Sequence, residues 1–110
     1  MPRQQDSLQG ALDLMVLKLL SKRPRLHGYA IMTAIEESSN GVLRVEEGSL
    51  YPALRRMEEA GWLRAEWISR DGGRRARVYA ITAAGKKQLA AEASRWQAGT
   101  AAVNQVLRMA

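Results

Sequence analysis

Apolar residues recur at three- and four-residue spacings through Leu8, Leu12, Met15, Val16, Leu19 and Leu20, the pattern of a helix with one buried stripe. Ser7 stands where an N-cap hydroxyl is expected. Lys22, Arg23 and Pro24 end the segment, because basic side chains suit the negative helix C-terminus and the residue before a proline avoids helical geometry. A second, short helix is expected from His27-Gly28, with Ile31, Ala34 and Ile35 on one face, giving out in the turn-forming run Ser38-Ser39-Asn40-Gly41. Val42 to Val45 reads as a brief strand.

A third helix is expected to begin at Leu50, with Ser49 as its N-cap and Pro52 in the first turn, where a missing N–H does no harm. Gly61 serves as its left-handed C-terminal stop. Trp62 to Ser69 and Arg74 to Ile81 are extended runs separated by Arg70-Asp71-Gly72-Gly73, which predicts a hairpin. Thr82 then caps a long terminal helix. Its apolar or small residues Leu89, Ala93, Trp96, Thr100, Val103, Leu107 and Ala110 alternate steps of four and three, as a two-helix seam does. The order predicts a mainly α, α+β winged helix-turn-helix: a three-helix core, a two-stranded wing and a long C-terminal dimerisation helix. Residues 1–82 form the expected winged-helix domain, and residues 83–110 the dimerisation helix of the same compact unit.

Composition narrows the chemistry. The 110 residues carry a formal net charge of +6, with 13 arginines against 4 lysines, and arginine's planar fork can grip phosphate or guanine at two points. Charge alone is equally compatible with a solubilising surface, so its placement matters more. There is no cysteine and a single histidine, which leaves no thiol chemistry and no ligand set for a metal, and no cofactor is expected. The N-terminal run has no signal-peptide pattern and no apolar run nears the ~20 residues of a membrane span, so a cytoplasmic protein without a membrane partner is expected.

Placement is informative on the third helix. With Leu50 at zero and 100° per residue, Leu54 and Met57 fall within about 40° of it, whereas Pro52, Arg55, Arg56 and Glu59 lie on the far side. Anchoring the apolar face presents Ser49, Tyr51, Pro52, Arg55 and Arg56 outward, as entry into a major groove requires. An ordinary solvated face would look the same. The hairpin adds a second signal, since Arg70, Arg74, Arg75 and Arg77 crowd a Gly-Gly tip from which they can lie along a phosphate backbone or in a minor groove. A charged edge that resists aggregation is the competing explanation.

The runs LHGYAI at 26–31, VEEGSLYPALRRMEEAGWL at 45–63, GGRRARVYAIT at 72–82 and AAGKKQL at 83–89 closely resemble the PadR family of bacterial transcriptional regulators. The resemblance extends over nearly the whole chain and matches the shorter subfamily with a single C-terminal dimerisation helix. It implies a homodimeric repressor of a palindromic operator, released by a small molecule. Residue by residue, it places Tyr29, Ser49, Tyr51, Pro52 and Arg55 at or beside double-stranded DNA, with Arg74, Arg75 and Arg77 in the wing. Arg56 belongs either to this set or to packing at the wing base, and Tyr51 either bonds a phosphate or braces its helix. His27 is expected to position the start of the second helix. Some short members bind flat aromatic compounds between paired tryptophans, which makes Trp96 either a dimer-core residue or a contact for a small aromatic or hydrophobic effector. Ala93, Gly99, Thr100 and Ala101 would leave such a pore open, unless Leu8, Leu12 and Met15 of the first helix fill it.

An enzyme is not expected. The acidic pairs Glu36-Glu37, Glu46-Glu47 and Glu58-Glu59 are sequence neighbours, which point about 100° apart on a helix and do not converge on a substrate. The alternative to a regulator is a winged-helix small-molecule-binding or protein-interaction module without specific operator binding.

Overall fold

A computed structural model of the chain describes the backbone of residues 4–110 and the side chains from residue 10 onward. The chain runs α1 (Gln4–Lys22), β1 (Leu26–His27), α2 (Gly28–Ser38), α3 (Glu47–Glu59), β2 (Leu63–Ser69), a 3-10 turn at Asp71–Gly73, β3 (Arg75–Ile81) and α4 (Ala83–Leu107). The sheet is antiparallel in the order β1-β3-β2. This is a winged helix-turn-helix: α1, α2 and α3 form the core, and the β2–β3 hairpin is the wing.

The core lies where α1 crosses α2, α3 and the sheet, with Val16, Leu17, Ile31, Leu50, Leu54 and Met57 fully buried. Three of these, Leu50, Leu54 and Met57, are the predicted anchoring face of α3. Leu63 and Tyr79 close the core from the sheet. Leu17 lay outside the predicted stripe of α1. It is buried because that helix is packed on more than one side, with α4 opposite the helix-turn-helix, so a single-stripe reading undercounts its apolar surface.

Both ends of the helix-turn-helix are closed by backbone geometry. At the end of α2, Asn40 adopts φ +53°, and Gly41 N–H and Asn40 N–H donate back to the carbonyls of Glu36 and Glu37. At the end of α3, Gly61 takes φ +84°, with Trp62 N–H and Gly61 N–H donating to Met57 and Glu58. Each is a left-handed stop that satisfies carbonyls the helix leaves free. The expected stop at Gly61 is therefore in place.

Several local expectations are corrected. α1 begins at Gln4, so Ser7 sits inside it; the polar opening turn carries no apolar stripe to reveal it. Residues 42–45 form no strand, because the Ser39 hydroxyl accepts from Leu43 N–H at 2.9 Å and folds the segment back. β1, only two residues long, was not foreseen; Leu26 and His27 pair with Tyr79 and Val78. α3 starts earlier than Leu50, with Glu46 as its N-cap and the Glu46 carbonyl accepting from Ser49 and Leu50 N–H. Ser49 is thus in the first turn, not the cap. Pro52 consequently lies in the second turn, where it leaves the exposed Gly48 carbonyl without its usual intrahelical donor. α4 ends at Leu107, so Ala110 lies beyond the seam.

Candidate nucleic-acid interface

The outer side of α3 forms a shallow hollow of about 560 Å³ lined by Tyr51, Pro52, Arg55, Arg56 and Glu59. Ser49, Tyr51, Pro52 and Arg55 are all exposed, opposite the buried face that anchors the helix. Tyr29, 69% exposed on the first turn of α2, stands next to Gly28, on whose backbone the Tyr51 ring rests. A Cβ at Gly28 would sit 2.6 Å from the Tyr51 hydroxyl and 2.7–2.8 Å from its ring carbons. Tyr51 therefore braces α3 on the start of α2. His27 fixes that start, its Nδ1 accepting from Ala30 N–H at 3.2 Å.

The two neighbouring arginines of α3 have different surroundings. Arg55 has no acidic partner among the described residues. Arg56 reaches the other way, donating from both terminal nitrogens to the Asp13 carboxylate of α1 at 2.7 and 2.9 Å. That bidentate bond, with the charge of Asp13 adding to it and burial opposing it, raises the Arg56 pKa above its ordinary value. Asp13 is the one buried charged residue among the described residues. Arg56 is thus taken up by α1 and does not pack at the wing base. That position belongs to Arg77, whose Nη2 donates to Glu58 of α3 at 3.0 Å.

The wing tip is formed by Gly72 and Gly73 at φ +79° and +76°. These values suit glycine and let the chain reverse without side chains in the way. Around the tip Arg70, Asp71, Gly72, Arg74 and Arg75 line a second hollow of about 590 Å³. Arg70, Arg74 and Arg75 are exposed and have no acidic partner among the described residues. Trp67 of β2 lies under the arginines of β3, with the Arg75 and Arg77 guanidinium carbons 4.9 and 5.3 Å from its ring centroid. The sequence reading does not single out Trp67, and it names Glu58 only within the acidic pair Glu58-Glu59. The register that sets Trp67 opposite Arg77 is the signal that finds the first.

Elsewhere on the surface α1, α2 and α4 line an open cavity of about 720 Å³. Met15, Leu19, Ile35, Leu89, Ala93 and Trp96 supply apolar walls, and Lys18 and Lys86 also line it. Along α4, Leu89 packs on the core whereas Trp96, Thr100, Val103 and Leu107 are exposed. Leu12, grouped with these by the sequence pattern, is in the chain's own core, and Leu8 lies outside the residues whose side chains are described. Thr82 joins α4 to the rest: its hydroxyl accepts from Gly85 N–H and donates to the Gly61 carbonyl at 2.6 Å, while its N–H donates to the Trp62 carbonyl. No described helix is long and apolar enough to cross a membrane.

Fold and surface together define a winged-helix protein with arginines on the outer face of α3 and on its wing. The family model for the PadR-like transcriptional regulators matches residues 16–91. An uncharacterized protein of Lysinibacillus sphaericus is 32% identical over 93 residues, 83% of either chain. Among solved structures, a transcriptional regulator from Clostridium thermocellum superposes with a TM-score of 0.82 at 25% identity, covering 91% of this chain and 96% of that one. A PadR-like transcriptional regulator from Bacillus cereus gives 0.77 at 27% identity, covering 94% and 97%. The chain belongs to the PadR-like family of transcriptional regulators, as its sequence motifs imply.

Proposed function

We propose that the protein is a homodimeric, sequence-specific DNA-binding repressor, released from a palindromic operator by a small aromatic or hydrophobic effector. The observation that carries the reading is the pairing of Arg55, exposed and without an acidic partner on the outer face of α3, with Arg70, Arg74 and Arg75 at the wing tip. PadR-family regulators generally bind DNA. In this reading Ser49, Pro52 and Arg55 enter the major groove, Tyr29 and the bracing Tyr51 lie beside it, and the wing arginines follow the backbone. Arg77 supports the wing, and Arg56 supports the helix.

The exposed Trp96, Val103 and Leu107 of α4 support self-association, because apolar side chains in a row favour a partner surface over water. Two recognition helices about a two-fold axis would read half-sites roughly 34 Å apart. The cavity beneath α4, with Trp96 at its wall, is the site proposed for the effector. Residues 1–82 then act as the DNA-binding domain and 83–110 as the dimerisation helix, in a cytoplasmic protein.

The test is selection of bound duplexes from a random pool, followed by titration of the enriched site. Arg55→Ala is expected to lose affinity for that site, whereas Arg75→Ala weakens all duplexes alike and flattens the salt dependence. Equal, weak binding of the unaltered protein to every duplex would favour a small-molecule or protein-interaction module instead.

A further inference from the structure

The β2–β3 hairpin carries one aromatic whose position the core does not explain. On β2, Leu63, Ala65 and Trp67 alternate onto the same face of the sheet; the first is buried, the second half-buried, and Trp67 is 54% exposed. On β3 Ile81, Tyr79 and Arg77 stand opposite them, and Arg75 follows on the same face. Trp67 is paired directly with Arg77 and lies diagonal to Arg75, so one indole serves two guanidiniums on the face of the hairpin that turns toward α3.

The two arginines differ in what else they hold. Arg77 is bonded to both oxygens of Glu58, at 3.0 and 3.3 Å, and its charge is met within the protein. Arg75 has only the indole, with no acidic partner among the described residues. A guanidinium held over a ring keeps N–H groups free for an oxygen acceptor, while the ring restrains the rotamers that binding would otherwise have to order. We infer that Trp67 is a positioning residue for DNA-backbone binding: it holds Arg75 poised for a phosphate, and the Glu58–Arg77 bridge fixes that platform relative to α3. The inference rests on the DNA-binding reading above, and it assigns phosphate contact to Arg75 and tethering to Arg77.

The test is a double-mutant cycle of Trp67→Ala and Arg75→Ala on the full chain, titrated against a duplex of arbitrary sequence at several salt concentrations. Arg75→Ala is expected to lower the salt slope by about 0.9, the share of one phosphate. Trp67→Ala should lower affinity about two- to fivefold with the slope unchanged, because the charge remains and only its placement is lost. In the Arg75→Ala background the tryptophan change should have no further effect, and Trp67→Phe, which keeps a ring, should fall between. Independent, multiplying losses would overturn the inference while leaving the DNA-binding reading intact, as would a Trp67→Phe protein indistinguishable from Trp67→Ala. Absence of duplex binding by the unaltered protein would overturn both. Melting curves identify a variant that fails to fold, in which case Trp67→Phe carries the cycle with the same expected dependence on Arg75.

Discussion

Asp13 of α1 and Arg56 of α3 clasp each other through two hydrogen bonds of 2.7 and 2.9 Å, across 43 positions of sequence. The carboxylate is buried while the guanidinium is partly exposed, so either half alone leaves the other with poorer company. Asp13→Asn is expected to lower unfolding stability by about 1–3 kcal/mol, the usual cost of losing a charged hydrogen-bond partner. Urea melts of both single variants and the double variant would show coupling between the two sites. Arg56→Lys keeps the charge but loses the fork; it should destabilise the fold with no change in the salt slope of DNA binding.

Gly28→Ala places a methyl group against the Tyr51 ring. The ring must move, and the expected loss is about 1–3 kcal/mol in thermal unfolding, in line with other overpacked sites. Removing the obstacle should reverse the sign: in a Tyr51→Ala background, Gly28→Ala should cost little or stabilise.

Gly85→Ala is a harsher case, because the new Cβ would meet the backbone carbonyl of Trp62 and the Ile81 side chain. Backbone cannot step aside as a tyrosine ring can, so α4 would have to lift from its seat. Gly48→Ala meets nothing and is expected to raise stability by up to about 1 kcal/mol, the difference between the two residues in a helix. A melt in which the two variants behave alike would contradict this placement of α4.

Burial pushes the Tyr79 phenol above its ordinary value of 10.0, with the Arg77 charge and hydrogen bond working against the rise. Deprotonation is therefore harder in the folded state than in the unfolded one. The tyrosine's contribution is complete below about pH 10 and is lost as pH rises through the folded value. Urea midpoints taken from pH 8 to 12 should fall more steeply for the unaltered protein than for Tyr79→Phe.

Val103→Glu together with Leu107→Glu puts charge into the exposed apolar row of α4. Sedimentation should show the altered chain at half the mass of the unaltered one, with its operator affinity reduced. An aromatic ligand taken up beneath α4 should quench indole fluorescence in a way that Trp96→Phe abolishes; quenching that persists would place the ligand elsewhere.

The face of α3 was legible because periodicity records burial, and Leu50, Leu54 and Met57 all face the core. Gly61 and Thr82 were legible because left-handed stops and N-caps demand particular residues. β1 was not, since two residues carry no period. Nor could the roles of Arg55 and Arg56 be separated, because the difference between them is Asp13, brought close only by the packing of α1 on α3. The start of α3 was misplaced for a related reason: a Ser-Leu boundary resembles a cap, yet the acidic pair Glu46-Glu47 already suits the positive end of a helix.

The joint at Thr82 makes α4 a lever. Its fulcrum is the cluster of hydrogen bonds that ties Thr82 to Gly61 and Trp62, at the very end of α3. A bar of this length, about 37 Å, turns by about 5° when its far tip is pushed about 3 Å, and were α3 to turn with it, its start, about 20 Å from the fulcrum, would travel less than 2 Å. That is about half the rise of one base pair, and hydrogen bonds do not survive such a stretch. If a wedge no thicker than an aromatic ring were seated at the handle, this gearing would set the size of the shift expected at the outer face of α3.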